Sequence, residues 1–181
     1  MASDTGYFKN FKKVQFDIDK TGKFQLVPDL TRVAKFRGSK VDMVRQFMPY
    51  YIPDGERPDV TSYNTYGDVK YVWVIMFVNN IFNPYTDWPL SQKQLTKRMV
   101  DIYGSVAGAE AAVHTYKDSR GNEIDHSRYV QLKDQTQSPG PARVVTKFEF
   151  EVDANEGKRE IILPQEAFLP KLLVELGKIF K

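Results

Sequence analysis

Residues 66–88 read YGDVKYVWVIMFVNNIFNPYTDW, and the eight from Tyr71 to Val78 carry no polar group beyond a phenol and an indole N–H. A run of that length falls far short of the about 20 apolar residues that cross a bilayer. Val, Ile, Phe, Tyr and Trp all suit a pleated strand, and periodicity does not separate strand from helix in a short apolar run. The flanks decide for helix. Gly67 can end a preceding helix in the left-handed conformation, Asp68 can cap the next one, and Asn79-Asn80 can close it. The expectation is a helix of about three turns, buried nearly all round.

Upstream stands FMPYYIPDGERPD. Phe47 to Ile52 reads as a short strand and Pro53 to Gly55 as a turn. Pro58 suits the first position of a helix with Asp59 in its first turn, ending at Gly67. Downstream, NPYTDWP is a loop that needs a packed anchor, for which Trp88 is the candidate. Ser91 and Gln94 then form a capping box, and Leu95, Met99, Ile102 and Tyr103 recur at helical spacing until Gly104.

The outer segments follow. Val14 to Ile18 and Lys23 to Val27 flank DKTG and predict an N-terminal hairpin, after which Asp29 can cap a helical turn through Val33 and Phe36. AAVHTYKDSRGNEIDHSRYV, residues 111–130, reads as a hairpin or a short helix entering one, with SRGN at the turn. KDQTQSPGPA, residues 133–142, reads as a linker or exposed loop. Val144, Phe148, Phe150 and Val152 alternate with Lys147, Glu149 and Glu151, which predicts a half-buried strand. REIILP answers it across DANEG, so a second hairpin is expected. Leu172, Leu173, Leu176, Ile179 and Phe180 then share one helical face opposite Lys171, Glu175 and Lys178.

With 181 residues, 41% hydrophobic and 27% charged, the chain has enough material for one real core or two small lobes. MASDTGYFKNFKK lacks the apolar middle of a signal peptide, which points to synthesis and assembly in the cytoplasm. There is no cysteine, so disulfides, thiolate nucleophiles and cysteine-ligated zinc drop out. The net charge of +3 is uneven: residues 1–50 hold ten Lys/Arg against five Asp/Glu. That excess lacks the basic stripe interleaved with aromatics that a nucleic-acid site shows, so neither nucleic acid nor membrane insertion is expected.

Groups able to do chemistry are scarce. His114 and His126 flank the proposed hairpin turn, but two ligands do not make a zinc site. GSVAG at 104–108 lacks the central Ser of a nucleophile elbow, and no phosphate-cradling glycine pattern occurs. Asp54 with Glu56 brackets a turn, and Glu149 with Glu151 is expected along an exposed strand beside Lys147, so solvation accounts for both pairs. Tyr66, Tyr71, Trp73, Phe77, Tyr85 and Trp88 are enough aromatics to stack a sugar, but they read first as core, where each buried side chain contributes roughly 1.5–3 kcal/mol. No catalytic, cofactor or metal site is expected, and no enzymatic activity.

The run PYYIPDGERPDVTSYNTYGDVKYVWVIMFVNNIFNPYTDWPLSQ resembles the gene-fifty-three family of baseplate wedge proteins from T-even and other contractile-tailed phages. An aromatic strand is followed by Arg57-Pro58, Tyr66-Gly67, Trp73, Asn79, Pro84 and Trp88 at matching intervals. A second block, VDANEGKREIILP with a terminal amphipathic helix, is similar to that family's ending through Asn155, Glu156, Lys158 and Arg159. Thr61-Ser62 stands where many relatives carry more aliphatic residues.

The resemblance implies a structural virion protein of the tail baseplate without cofactor. It also implies an α+β fold built on a LysM-like strand-helix-helix-strand unit, with added hairpins and a C-terminal amphipathic helix. The divisions expected are an N-terminal extension over 1–45, the LysM-like unit over 46–104, hairpin and linker over 105–142, and hairpin plus helix over 143–181. The partners implied are the helical-bundle wedge subunits and the small sheath-initiating subunit, with this chain helping wedges join around the hub. Leu172, Leu176, Phe180 and Arg159 are the expected partner-binding residues. Tyr66, Gly67, Trp73 and Trp88 are expected structural anchors, with Arg57, Pro58, Asn79 and Pro84 beside them. The alternative is a peptidoglycan-binding module of a phage tail, since LysM units generally bind N-acetylglucosamine polymers.

Overall fold

The computed structural model describes residues 11–29, 35–36, 45–133 and 142–179. The expected helical turn through Val33, most of the Pro-Gly-Pro linker and Phe180 lie outside them. Strands β1 (Lys13–Phe16) and β2 (Gln25–Pro28) come first, then β3 (Phe47–Tyr51) and helix α1 (Pro58–Tyr66). A 3-10 helix, Val69–Tyr71, runs into α2 (Val72–Val78), and a single turn, α3 (Pro84–Asp87), follows. The chain continues through α4 (Gln92–Tyr103), α5 (Val106–Ala111), β4 (Val113–Lys117), β5 (Glu123–Ile124) and α6 (His126–Lys133). It closes with β6 (Arg143–Thr146), α7 (Lys147–Glu156), β7 (Glu160–Pro164), a second 3-10 helix Glu166–Phe168 and α8 (Leu169–Ile179). The class is α+β, in two compact units: Met1–Trp88 with Glu160–Lys181, and Pro89–Arg159.

In the first unit β3 pairs antiparallel with β7, Pro49 facing Ile162. β3, α1, α2 and β7 thus give the strand-helix-helix-strand order, with the closing strand supplied from residue 160 onward. Pro49 lacks an N–H, and it is tolerated because Ile162 turns its own N–H and C=O away from β3. The Asn79 side chain meets both, its Oδ1 accepting from Ile162 N–H at 2.9 Å and its Nδ2 donating to Ile162 O at 2.8 Å. At the end of α2, a carboxamide thus takes the place of a third strand.

The all-apolar composition of residues 71–78 has a plain cause. Val74, Phe77 and Val78 enter one core cluster with Phe11, Phe47, Leu169, Leu172 and Leu176. Ile75 enters another with Ile52, Trp88, Ile161 and Leu163. β7 is likewise divided, Ile162 packing on the first cluster while Ile161 and Leu163 belong to the second. α2 and β7 therefore stand between two apolar layers, which accounts for the apolar residues on both sides of each. α1 ends at Gly67 in the left-handed conformation (φ 70°), Asp68 caps the 3-10 turn through the N–H of Lys70, and Asn80 takes φ 54° past α2.

The second unit opens with the Ser91/Gln94 capping box of α4, and Leu95 and Met99 pack with Ala109 of α5 and with Phe148 and Val152 of α7. Its sheet runs β5-β4-β6. For residues 111–130 both proposed forms occur in sequence: α5 enters a hairpin of β4 and β5. The C-terminal hairpin expected around DANEG is corrected. Residues 147–156 are helix, and REIILP pairs with β3 instead of with residues 148–152. The cause is local: the Thr146 hydroxyl accepts from Glu149 N–H at 3.1 Å while the Glu149 carboxylate accepts from Thr146 N–H at 2.9 Å. This capping box nucleates a helix whose Phe148 and Val152, four apart, bury together. Among the described residues, no buried side-chain nitrogen or oxygen lacks a hydrogen-bond partner.

Candidate functional site

The loop after β3 is held by Glu56. Its carboxylate accepts hydrogen bonds from the Tyr50 hydroxyl at 2.8 Å and from the Thr61 hydroxyl, and its main-chain oxygen accepts from Trp88 Nε1 at 2.8 Å. Burial, then the bond to Glu56, pushes the Tyr50 phenol up to about 12. Thr61 and Ser62 are fully buried, and the Ser62 hydroxyl donates to Asp68 O at 2.6 Å. Both buried hydroxyls are thus satisfied by the segments they touch. Tyr66 donates to Pro164 O at 2.8 Å, and burial raises its phenol far above the ordinary value.

The anchors named from the sequence spread through this unit. Trp88 is buried in the second cluster, whereas Trp73 is half-buried and packs on the first. Arg57 is exposed and pairs with Asp59 at 3.1 Å, a surface pair of little energetic weight. Pro58 and Pro84 open α1 and α3. Asn79 also donates to Ile75 O at 2.8 Å, closing the last turn of α2.

Three of the four residues expected to meet a partner lie inside their own units. Leu172 and Leu176 are 4% and 1% exposed within the first unit's own core, because α8 folds back on Phe47, Val74 and Val78. Arg159 is 5% exposed in the second unit. Its Nε bonds Glu156 at 2.9 Å and its Nη2 reaches Leu90 O at 3.4 Å. Asn155 holds Leu90 from both sides, accepting from its N–H at 2.7 Å and donating to its carbonyl at 3.0 Å. The first and last turns of that unit are fastened to each other.

The titratable groups are engaged structurally. His114 stacks on Phe150 at 3.8 Å with Lys147 Nζ 3.1 Å from its Nδ1, while His126 lies against Tyr116 at 5.2 Å. Glu149 caps α7, and Glu151, on the same helix instead of an exposed strand, bonds Arg98 at 3.1 Å and the Tyr103 hydroxyl at 3.2 Å. Among the described residues no three His, Asp or Glu side chains converge on a metal position, and no helix is long and apolar enough to cross a membrane.

Several large apolar side chains also remain outward. Val14, Phe16, Ile18, Phe24 and Leu26 of the N-terminal hairpin are 36–67% exposed. The apolar residues of that hairpin fall on both alternating faces of the strand pair, a pattern that cannot be buried on one side only. Phe82 is also exposed, and Tyr85 is 87% exposed, in the segment after α2.

Two comparisons bear on this architecture. Residues 29–162 match the family model described as base plate wedge protein 53. Baseplate wedge protein gp53 of Enterobacteria phage T4 is 25% identical over 142 residues, which cover 73% of this chain and 72% of that protein.

Proposed function

Because the chain belongs to the base plate wedge protein 53 family, we propose that it works in the phage baseplate as a non-enzymatic brace. In this reading it joins the inner helical-bundle wedge subunits near the small sheath-initiating subunit and helps wedges close around the hub. Assembly takes place in the host cytoplasm before the tail is complete. The observation that carries the reading is the extent of the match, which takes in β3, α1, α2, the whole second unit and the start of β7. The pinned Glu56 loop and the Asn79 bridge support it, because they rigidify the unit. The test is a single-particle map of the assembled tail, beside tails produced without this gene. The expected result is density for this chain at each wedge and wedges that fail to close in its absence. Normal tails lacking the chain would refute the brace.

A second reading, peptidoglycan binding, draws on exposed Tyr85 and Phe82 as a stacking surface. Buried Trp88 cannot contribute to it. Saturable sedimentation with purified cell wall, lost in Tyr85→Ala at unchanged melting temperature, would favour this reading. Absence of sedimentation leaves the brace.

A further inference from the structure

The N-terminal hairpin is built unlike the rest of the first unit. Phe11 roots it in the first core cluster, and the Asp29 N–H donates to Lys12 O at 2.8 Å across its base. The Asp17 carboxylate organises the turn by accepting from the N–H groups of Thr21 at 3.1 Å and Gly22 at 2.7 Å. Beyond the root the strands are uncovered, and no third described strand pairs with them. Register places Val14 opposite Val27 and Phe16 opposite Gln25 on one face, while Leu26, opposite Gln15, lies on the other with Phe24 two residues before it. A two-stranded hairpin is marginal in water alone, and one with large apolar side chains on both faces has no solvent side. The family match begins at residue 29, so the hairpin lies outside what that relationship explains.

We propose that this hairpin is a two-faced insertion arm that enters an apolar slot with an acidic rim on a different wedge subunit. Three observations select that occupant. Exposed apolar side chains on both faces require two walls, and a second copy docking about a two-fold axis would cover one face and leave the other open. Copies covering both faces would propagate into a filament instead of closing. Taking about 150–250 Å² for a buried aromatic, the exposed parts of the five side chains amount to at least about 400 Å². That is roughly half of the ~800 Å² each partner contributes to a stable interface, as expected for an arm that supplements other contacts. The rim of the hairpin carries exposed Lys12, Lys13, Lys20 and Lys23 against exposed Asp19 and the Asp17 of the turn, a positive balance. An acidic border on the slot would complement it.

The inference rests on the wedge-subunit reading, and one experiment separates them. The full chain, Phe16→Thr and Leu26→Thr are each co-expressed with the remaining wedge subunits of the same phage, and binding is read by co-purification. Threonine keeps strand preference while removing the apolar surface. The expected result is unchanged melting temperature, a monomer of each form alone by light scattering, and retention lowered about tenfold or more by either single change. Wild-type retention in either variant means that face is not covered, which overturns the two-walled slot. A melting temperature lowered by several degrees would mean the chain covers the hairpin itself. Self-association of the wild type, lost in the variants, would assign the face to a second copy. Both outcomes overturn the proposal. If the wild type fails to co-purify, the wedge-subunit reading falls and the arm falls with it. Retention of all three forms removes the arm alone.

Discussion

Asn79 offers the sharpest test of how the first unit is held together. Its carboxamide serves Ile75 O, Ile162 O and Ile162 N–H at 2.8, 2.8 and 2.9 Å. Asn79→Ala strands the Ile162 N–H and C=O, at about 1–3 kcal/mol for each fully buried group. Both residues are half-buried, so water recovers part of that cost, and a loss of about 2 kcal/mol is expected. For a chain of this length this lowers the melting temperature by roughly 4–8 °C. Asn79→Asp is more informative because it keeps the shape. The retained oxygen still accepts from Ile162, but a carboxylate oxygen now stands where the amide nitrogen donated, against two carbonyl oxygens. At neutral pH this variant should be less stable than Asn79→Ala.

Protonation reverses that order, since a neutral carboxyl can donate to one of the carbonyls. The folded state therefore raises the pKa of the introduced carboxyl. Its favourable contribution is fully present below the unfolded value of about 3.9 and is lost as pH rises through the higher folded value. Urea melts at acid and neutral pH, each referred to wild type at the same pH, would show this crossing. Exchange protection of the Ile162 amide should fall in Asn79→Ala. The bridge is refuted if Asn79→Ala melts within about a degree of wild type with Ile162 protection intact, or if Asn79→Asp shows no pH dependence beyond wild type.

Leu176→Ala should cost about 2–5 kcal/mol in a urea melt, as for a leucine enclosed by core, and a loss under about 0.5 kcal/mol would put that face of α8 outside the core. Thr146→Ala removes the cap of α7 and should cost about 1 kcal/mol by the same assay, and a loss within about 0.2 kcal/mol of zero would refute the cap. Tyr50, raised to about 12, and Tyr66, raised further, both favour the protonated phenol in the folded state. Their contribution is therefore complete below about pH 10 and is lost as pH rises through the folded values. Tyr50→Phe should flatten part of that alkaline loss, and an unchanged alkaline profile would remove Tyr50 from it.

Signals carried within a few residues were legible along the chain. The apolar run 71–78, Gly67 and Asp68 before it and Asn80 after it determine α2, because helix ends are decided by groups within one turn. The Ser91/Gln94 box determines the start of α4 in the same way. The Thr146/Glu149 box was equally local. It was masked because Phe148, Phe150 and Val152 satisfy strand alternation while Phe148 and Val152 also satisfy the four-residue helical spacing.

Tertiary structure alone decided which partners those elements take. REIILP can pair with any strand of matching pattern, and its choice of β3 depends on the Pro49 gap, the Asn79 amide and the two apolar layers on either side. None of these lies within sight of residues 160–164 along the chain. The same holds for α8. Its sequence requires that Leu172 and Leu176 be covered, but an amphipathic stripe does not say by whom, and the fold covers them with Phe47, Val74 and Val78. Burial is a property of what arrives from elsewhere, so it was the tertiary structure that covered the apolar face of α8 and left the apolar hairpin bare.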